Sequence, residues 1–168
     1  MTTAEGTTPA LLQTKPTWLI SQVSAQAHAV MVARLGVAGA RGYHFRVLAA
    51  LAEFGPASQA AVGRHADMDR SDVTATVTEL ARAGLVDRAA DAGDRRRNVV
   101  TITSAGLARL RELDGILAAV QDEVLAPLSA AERSVLNGLL TRVLDGAAGS
   151  APPPKGAVGD PWRPGRGS

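Results

Sequence analysis

From Pro16 to about Leu35, apolar residues recur at helical spacing, but they fall on two sides of the helix they predict. Ile20, Val23, Ala27 and Val30 share one face, while Trp18, Ala25, Ala29 and Val32 cover much of the opposite one. Pro16 suits a first helical turn and Thr17 can cap it. A helix apolar on both sides is usually sandwiched, often between its own domain and a partner subunit. A second helix, about Gly42 to Phe54, carries His44, Val47, Leu48 and Leu51 on one face and stops at Gly55-Pro56. The stretch ASQAAVGRHADMDRSDVTATVTELARAGLV then reads as a short helix, a turn near Asp67 to Asp69, and a longer helix ending at Gly84. Two helices joined by a brief turn form a helix-turn-helix. Asp69 is placed to cap the longer helix, with Asp72 following in a capping-box-like arrangement suited to the helix dipole.

After Gly84 the period changes from about 3.6 to about 2. LVDRAA and NVVTIT become two short strands around the turn DAGDRRR, a two-stranded wing. From Thr103, a capping residue, a long helix carries Leu107, Leu110, Leu113, Leu117, Val120 and Val124 at spacings of three and four. Pro127 and Ser129 break it and start a last helix through Val135, Leu139, Leu140, Val143 and Leu144. The polar residues before Pro16 read as a poorly ordered leader. The Pro/Gly-rich tail from about Ala147 reads as disordered.

Composition supports this helical picture. Aromatics make up only 3% of the 168 residues, so the core must be built from Leu, Val and Ala, which favours closely packed helices. The length suits one domain with a real core. The formal net charge of +2 argues only weakly for a polyanionic partner, so the placement of charge must decide. The absence of cysteine removes disulfides, thiolate metal sites, cysteine nucleophiles and thiol redox sensing. The apolar segment Trp18 to Leu35 is interrupted by Ser21, Gln22, Ser24, Gln26 and His28, which argues against a membrane span. The N-terminal stretch has no basic segment leading into a long apolar run, so a cytoplasmic protein is expected.

With Val73, Val77, Leu80 and Gly84 turned to the core, the outer face of the longer helix is Ser71, Thr74, Ala75, Thr78 and Arg82, with Arg70 at its flank. Hydroxyls can bond bases or phosphates, an alanine methyl can touch thymine, and arginine can clamp guanine or phosphate. The same face also fits an ordinary solvated surface, and the wing shifts the balance. Arg95, Arg96 and Arg97 sit at its turn, where cationic side chains can reach an electronegative minor groove. Over residues 70–97, six arginines meet five carboxylates, so positive charge is concentrated at the wing tip rather than spread. Asp94 is expected to order the turn and pair with an arginine such as Arg88.

The run SDVTATVTELARAGLVDRAADAGDRRRNVVTITSAG resembles the winged-helix core of the MarR family of transcriptional regulators. Asp91, Asp94, Arg96, Thr103 and Gly106 fall on the family's signature, with Ile102 where leucine is usual. Ser71, Val73, Thr74, Val77, Leu80, Gly84, Leu85 and Arg88 agree with its helix pattern. The resemblance covers about residues 16–146 and is specific over roughly 69–106. It implies a mainly α fold: a winged helix-turn-helix with a two-stranded β-wing and a helical dimerisation region. The winged helix would span about 40–102 and the dimerisation helices about 16–36 and 103–146, between a leader (1–15) and a tail (147–168). It further implies a homodimeric, sequence-specific DNA-binding regulator. Such a dimer would read a pseudo-palindromic operator in double-stranded DNA, more often as a repressor than an activator. Arg96 would be the minor-groove residue, with Arg95 and Arg97 on phosphates. A small aromatic or phenolic effector would release it.

Trp18, His28, Tyr43 and His44 lie where such an effector would bind, and an imidazole and a phenol could orient an anionic aromatic. A histidine on an apolar face more often caps a backbone group, which is the plainer reading of His44. No two of His28, His44 and His65 share a metal-binding spacing on one helix, so neither a metal nor another cofactor is expected. No nucleophile with a positioned base and no phosphate-binding glycine motif points to an enzyme. The competing class is a winged-helix module that binds protein, its wing arginines meeting an acidic surface.

Overall fold

The computed structural model describes residues 9–90 and 98–147. The elements run α1 (Ala10–Gln13), α2 (Pro16–Val37), α3 (Gly42–Phe54), β1 (Ala57–Ser58), α4 (Gln59–His65), α5 (Arg70–Arg82), β2 (Val86–Ala90), β3 (Asn98–Ile102), α6 (Ser104–Val124) and α7 (Ala130–Ala147). The fold is mainly helical, as the pattern predicts. Ala10–Gln13, inside the stretch read as a leader, forms a single exposed helical turn.

The wing strands β2 and β3 pair antiparallel with Val86 opposite Ile102 and Ala90 opposite Asn98. The sheet has a third strand that the sequence pattern misses: β1 lies on the other edge of β3, with Ala57 opposite Val100. Two residues are too few to show a period, and their pairing is a long-range contact. Ser58 serves twice, since its hydroxyl also accepts the Ala61 N–H at 3.3 Å and so caps α4.

One core joins these elements. Leu35 of α2, Val47, Leu48 and Leu51 of α3, Val62 of α4, Val73, Val77 and Leu80 of α5, Val86 and Val100 of the sheet, and Leu113 of α6 are all buried. Tyr43 is the one aromatic buried with them among the described residues. Thr76 is buried as well, in a position that the apolar period does not mark.

Three helices end in the same way, and the ends set the turns between successive elements. At the end of α5 the Gly84 N–H bonds Ala81 O at 3.0 Å and the Leu85 N–H bonds Leu80 O at 2.9 Å, with Gly84 at φ +70°. This is a Schellman end, which needs a left-handed residue. Gly84 is therefore exposed and conformational, not a core-facing position as its spacing suggests. Gly39 does the same work after α2. Asp67, at φ 47°, does it after α4, where the Met68 N–H reaches Gly63 O at 2.9 Å. Arg46 of α3 holds this less usual left-handed residue by donating to Asp67 O at 2.6 Å.

The joint between the winged part of the chain and the long helix α6 is closely packed. Thr103 caps α6 by accepting the Gly106 N–H at 3.0 Å, and its hydroxyl donates to Gly84 O at 2.8 Å. Its own N–H bonds Leu85 O at 3.1 Å. One residue thus ties the end of α5, the start of the wing and the first turn of α6. A Cβ at Gly106 would stand 2.1 Å from Leu85 O and 2.7 Å from Ile102 Cγ1, so only glycine fits there.

Gly106→Ala is expected to destabilise the fold by about 2–4 kcal/mol through this backbone clash. Gly115→Ala, in the same helix with nothing within 4 Å of its added Cβ, is expected to stabilise by roughly 0.5–1 kcal/mol. Urea unfolding of both variants at one protein concentration checks the pair; equal effects would contradict the close approach.

Candidate nucleic-acid interface

α5 buries Val73, Thr76, Val77 and Leu80 and turns its other side outward. Along that side Arg70, Ser71, Thr74, Ala75, Thr78 and Arg82, the six residues expected to contact DNA, line one shallow concavity together with Glu79. At about 1.5 Å per residue the helix is roughly 20 Å long, which suits a major groove. The hydroxyls behave more specifically than the sequence suggests. Thr74 Oγ1 donates to Arg70 O at 2.8 Å and Thr78 Oγ1 to Thr74 O at 2.7 Å. With their protons turned back into the helix, these threonines present methyls and acceptor lone pairs outward, not donors. Donation to a base or phosphate on this face falls to Arg70, Arg82 and Ser71.

α5 is also held at its edge by polar contacts from α3. Glu79 Oε2 lies 2.9 Å from His44 Nε2 and accepts a hydrogen bond from Arg41, whose guanidinium pairs with it. His44 Nδ1 accepts the Arg41 N–H at 3.2 Å, which leaves Nε2 as the ring nitrogen that meets Glu79. His44 is thus the backbone cap of α3 and a strut to α5 at once. About two turns nearer the start of α5, the Tyr43 hydroxyl lies 3.3 Å from Asp72 Oδ2, with Arg46 over the Tyr43 ring. Burial alone would raise the Glu79 pKa, but the hydrogen bonds from His44 and Arg41, with the charge of the Arg41 guanidinium, outweigh it and hold the carboxyl below its ordinary value of 4.5. The one carboxylate in the concavity is therefore ionised and already matched by a cation.

Asp69 stands at the N-cap of α5, but its side chain makes no capping hydrogen bond, so the capping box expected at Asp69 and Asp72 does not form. Asp72 faces Tyr43 instead. α4 adds surface that sequence reasoning passes over. Gln59, Ala60, Gly63 and Arg64 line a groove that continues onto Arg70 and Thr74 of α5. Their only sequence signal is Ser58 before a short helix. On the wing, Arg88 is exposed on β2 opposite Val100. Asp94, Arg95, Arg96 and Arg97, with the expected Arg88–Asp94 pair, lie outside the described residues.

The remaining candidates do not gather into one pocket. Trp18 and His28 are half-buried on α2, and His28 Nδ1 is enclosed without a hydrogen-bond partner among the described residues. Tyr43 and His44 are committed to α5. A groove of about 600 Å³ between α2, α6 and α7 is lined by Val23, Ala27, Val124, Arg133 and Leu140, among others, and by none of these four. Among the described residues, no His, Asp and Glu cluster could hold a metal ion, and no helix is long and apolar enough to cross a membrane.

A helix-turn-helix backed by a small antiparallel sheet defines a winged helix-turn-helix protein. Residues 35–97 match the model of the MarR family. The chain is 31% identical over 101 residues to the HTH-type transcriptional repressor NicR of Pseudomonas putida, a match that covers 60% of this chain and 64% of that protein. It therefore spans a little under two thirds of that relative's length. A solved structure from Pseudomonas aeruginosa superposes with a TM-score of 0.69 at 32% identity, covering 79% of this chain and 98% of that one. The PcaV transcriptional regulator of Streptomyces coelicolor does so with 0.67 at 31%, covering 81% and 99%. The chain belongs to the MarR family.

Because the folded pKa of Glu79 is depressed, its contribution to stability is present in full above the ordinary carboxylate value and is lost as the pH falls through the folded value. Glu79→Gln should therefore cost stability near neutral pH, by less than about 1 kcal/mol for so exposed a pair. The gap from wild type should close as the pH falls below the ordinary carboxylate range. Urea unfolding across that range reads it directly, and a gap that widens in acid would reverse the sign.

Proposed function

We propose that this protein is a sequence-specific DNA-binding transcriptional regulator that acts as a homodimer on a pseudo-palindromic operator. The observation that carries this reading is the outer face of α5. Its middle is small and uncharged, its two ends carry Arg70 and Arg82, and its single carboxylate is matched by Arg41. Such a face enters a groove without repelling phosphate. Arg96 at the wing, with Arg95 and Arg97, supplies the flanking contacts, Arg96 to the minor groove and its neighbours to phosphate.

The second copy is argued from α7. Among the described residues this helix contributes no buried side chain, yet Val135, Leu139, Leu140, Val143 and Leu144 stand exposed along it. Leu19, Ile20 and Val23 extend the apolar surface on α2. A helix of this length with no buried face is marginal alone and needs a partner. Pairing two copies through α2 and α7 would set two α5 helices on one side of the dimer, about one DNA turn or roughly 34 Å apart. The cytoplasm is the compartment in which such a regulator would meet its DNA.

Release by a small aromatic or phenolic effector fits the same geometry. The PcaV regulator, 29% identical in its complex with its natural ligand, is one relative that binds a small molecule. In this chain a ligand engaging Tyr43 or His44 would compete with Asp72 and Glu79 and so loosen the hold of α3 on α5. Trp18 and His28 lie on the neighbouring α2. Occupancy would change through the separation of the two reading helices, and repression relieved by ligand is the sense this implies.

Wild-type protein is expected to select a pseudo-palindromic duplex from a random pool and to bind it with an affinity that falls steeply with salt. Ala75→Glu should weaken that binding by at least about 100-fold with unchanged thermal stability. Arg96→Ala should lower the salt slope by about one. Fluorescence anisotropy titrations measure both, and a wild-type protein that prefers no duplex over random DNA would overturn the reading.

A further inference from the structure

Gln59 is the first residue of α4, and its carboxamide meets Thr74 of α5 across the turn. Thr74 Oγ1 lies 3.2 Å from Gln59 Oε1 and 2.8 Å from Arg70 O. A hydroxyl has one proton, and the nearer carbonyl of its own helix takes it. The longer contact then requires the amide to present its NH2 to Thr74, a half-turn of the carboxamide that leaves its heavy-atom positions almost unchanged. In that orientation the N–H anti to the amide oxygen donates to Thr74 Oγ1. The oxygen and the other N–H remain side by side and free for a partner, and Gln59 lines the same groove as Arg70 and Thr74. An acceptor and a donor side by side match the N6 amino group and N7 of adenine in the major groove.

We propose that Gln59 is a base-reading residue of this protein, selecting adenine at one position of each half-site, with Thr74 as the positioning residue that fixes its amide edge. The proposal rests on the DNA-binding reading above and goes beyond it by assigning a base to a helix outside α5. Half-burial favours the role: Gln59 is packed enough to have a defined edge and open enough to reach a base. The Thr74 methyl stays free for its own contact, so the two side chains act as one unit drawn from both helices of the helix-turn-helix.

The test is position-by-position affinity on the selected duplex, using the full chain as wild type, Gln59→Ala, Thr74→Val and the double variant. Wild type should prefer adenine at one position per half-site by roughly tenfold. Gln59→Ala should bring that preference to within about twofold while the other positions keep theirs. Thr74→Val should blur the same base, and the double variant should lose no more there than Gln59→Ala alone. Two results overturn the assignment while leaving the DNA reading intact: adenine preference that survives Gln59→Ala, or a uniform loss on every duplex with a smaller salt slope, which marks a phosphate contact. A wild-type protein without any sequence preference overturns both together.

Discussion

The architecture turns on the close approach of the first turn of α6 to the end of α5. Leu85 O occupies the space that a side chain at residue 106 would need, and the Thr103 hydroxyl closes the joint by bonding Gly106 and Gly84 on either side. This contact makes the reading helix, the base of the wing and the long helix behind them one rigid unit. A looser joint would let α5 and the sheet move independently of α6, and the separation of two reading helices in a dimer would no longer be defined. Glycine at 106 and the left-handed glycine at 84 serve one purpose from two sides.

The second hold on α5 is polar and differs in kind. Val73, Val77 and Leu80 anchor its buried side in the common core, while Asp72 and Glu79 reach Tyr43, His44 and Arg41 along the edge. Apolar burial supplies most of the stability. The polar edge adds directionality, and being half exposed it can be exchanged at modest cost. A small ligand can thus bear on the orientation of α5 there without unpacking the core. His44 shows the economy of the arrangement, since one imidazole caps α3 with Nδ1 and braces α5 with Nε2.

Much of this is legible in the sequence because periodicity reports burial. Val73, Val77 and Leu80 declare the buried side of α5, and its outer six residues follow by elimination. The switch to alternation after Gly84 marks the wing, and Thr103 marks the start of α6. What escapes has other physical causes. Gly84 sits at a core-like spacing but is set by its backbone angle, which no period encodes. Asp69 has the right residue type for a cap, yet its side chain makes no capping bond. Ala57–Ser58 becomes a strand only because β3 is beside it. Gln59 meets Thr74 only through the tertiary fold, fifteen residues away across the turn. Thr76 is polar and buried, against the pattern that predicts its neighbours.

The central claim is that two copies of α5 face one duplex about a helical turn apart. Because the chain has no cysteine, Ala83→Cys, exposed at the end of α5 and outside the concavity, offers a single attachment point for an iron chelate that cleaves nearby DNA. On a selected duplex the tethered protein should cut at two places about 10 base pairs apart, symmetric about the centre of the site. A single cut, or cleavage scattered along the duplex, would contradict the account.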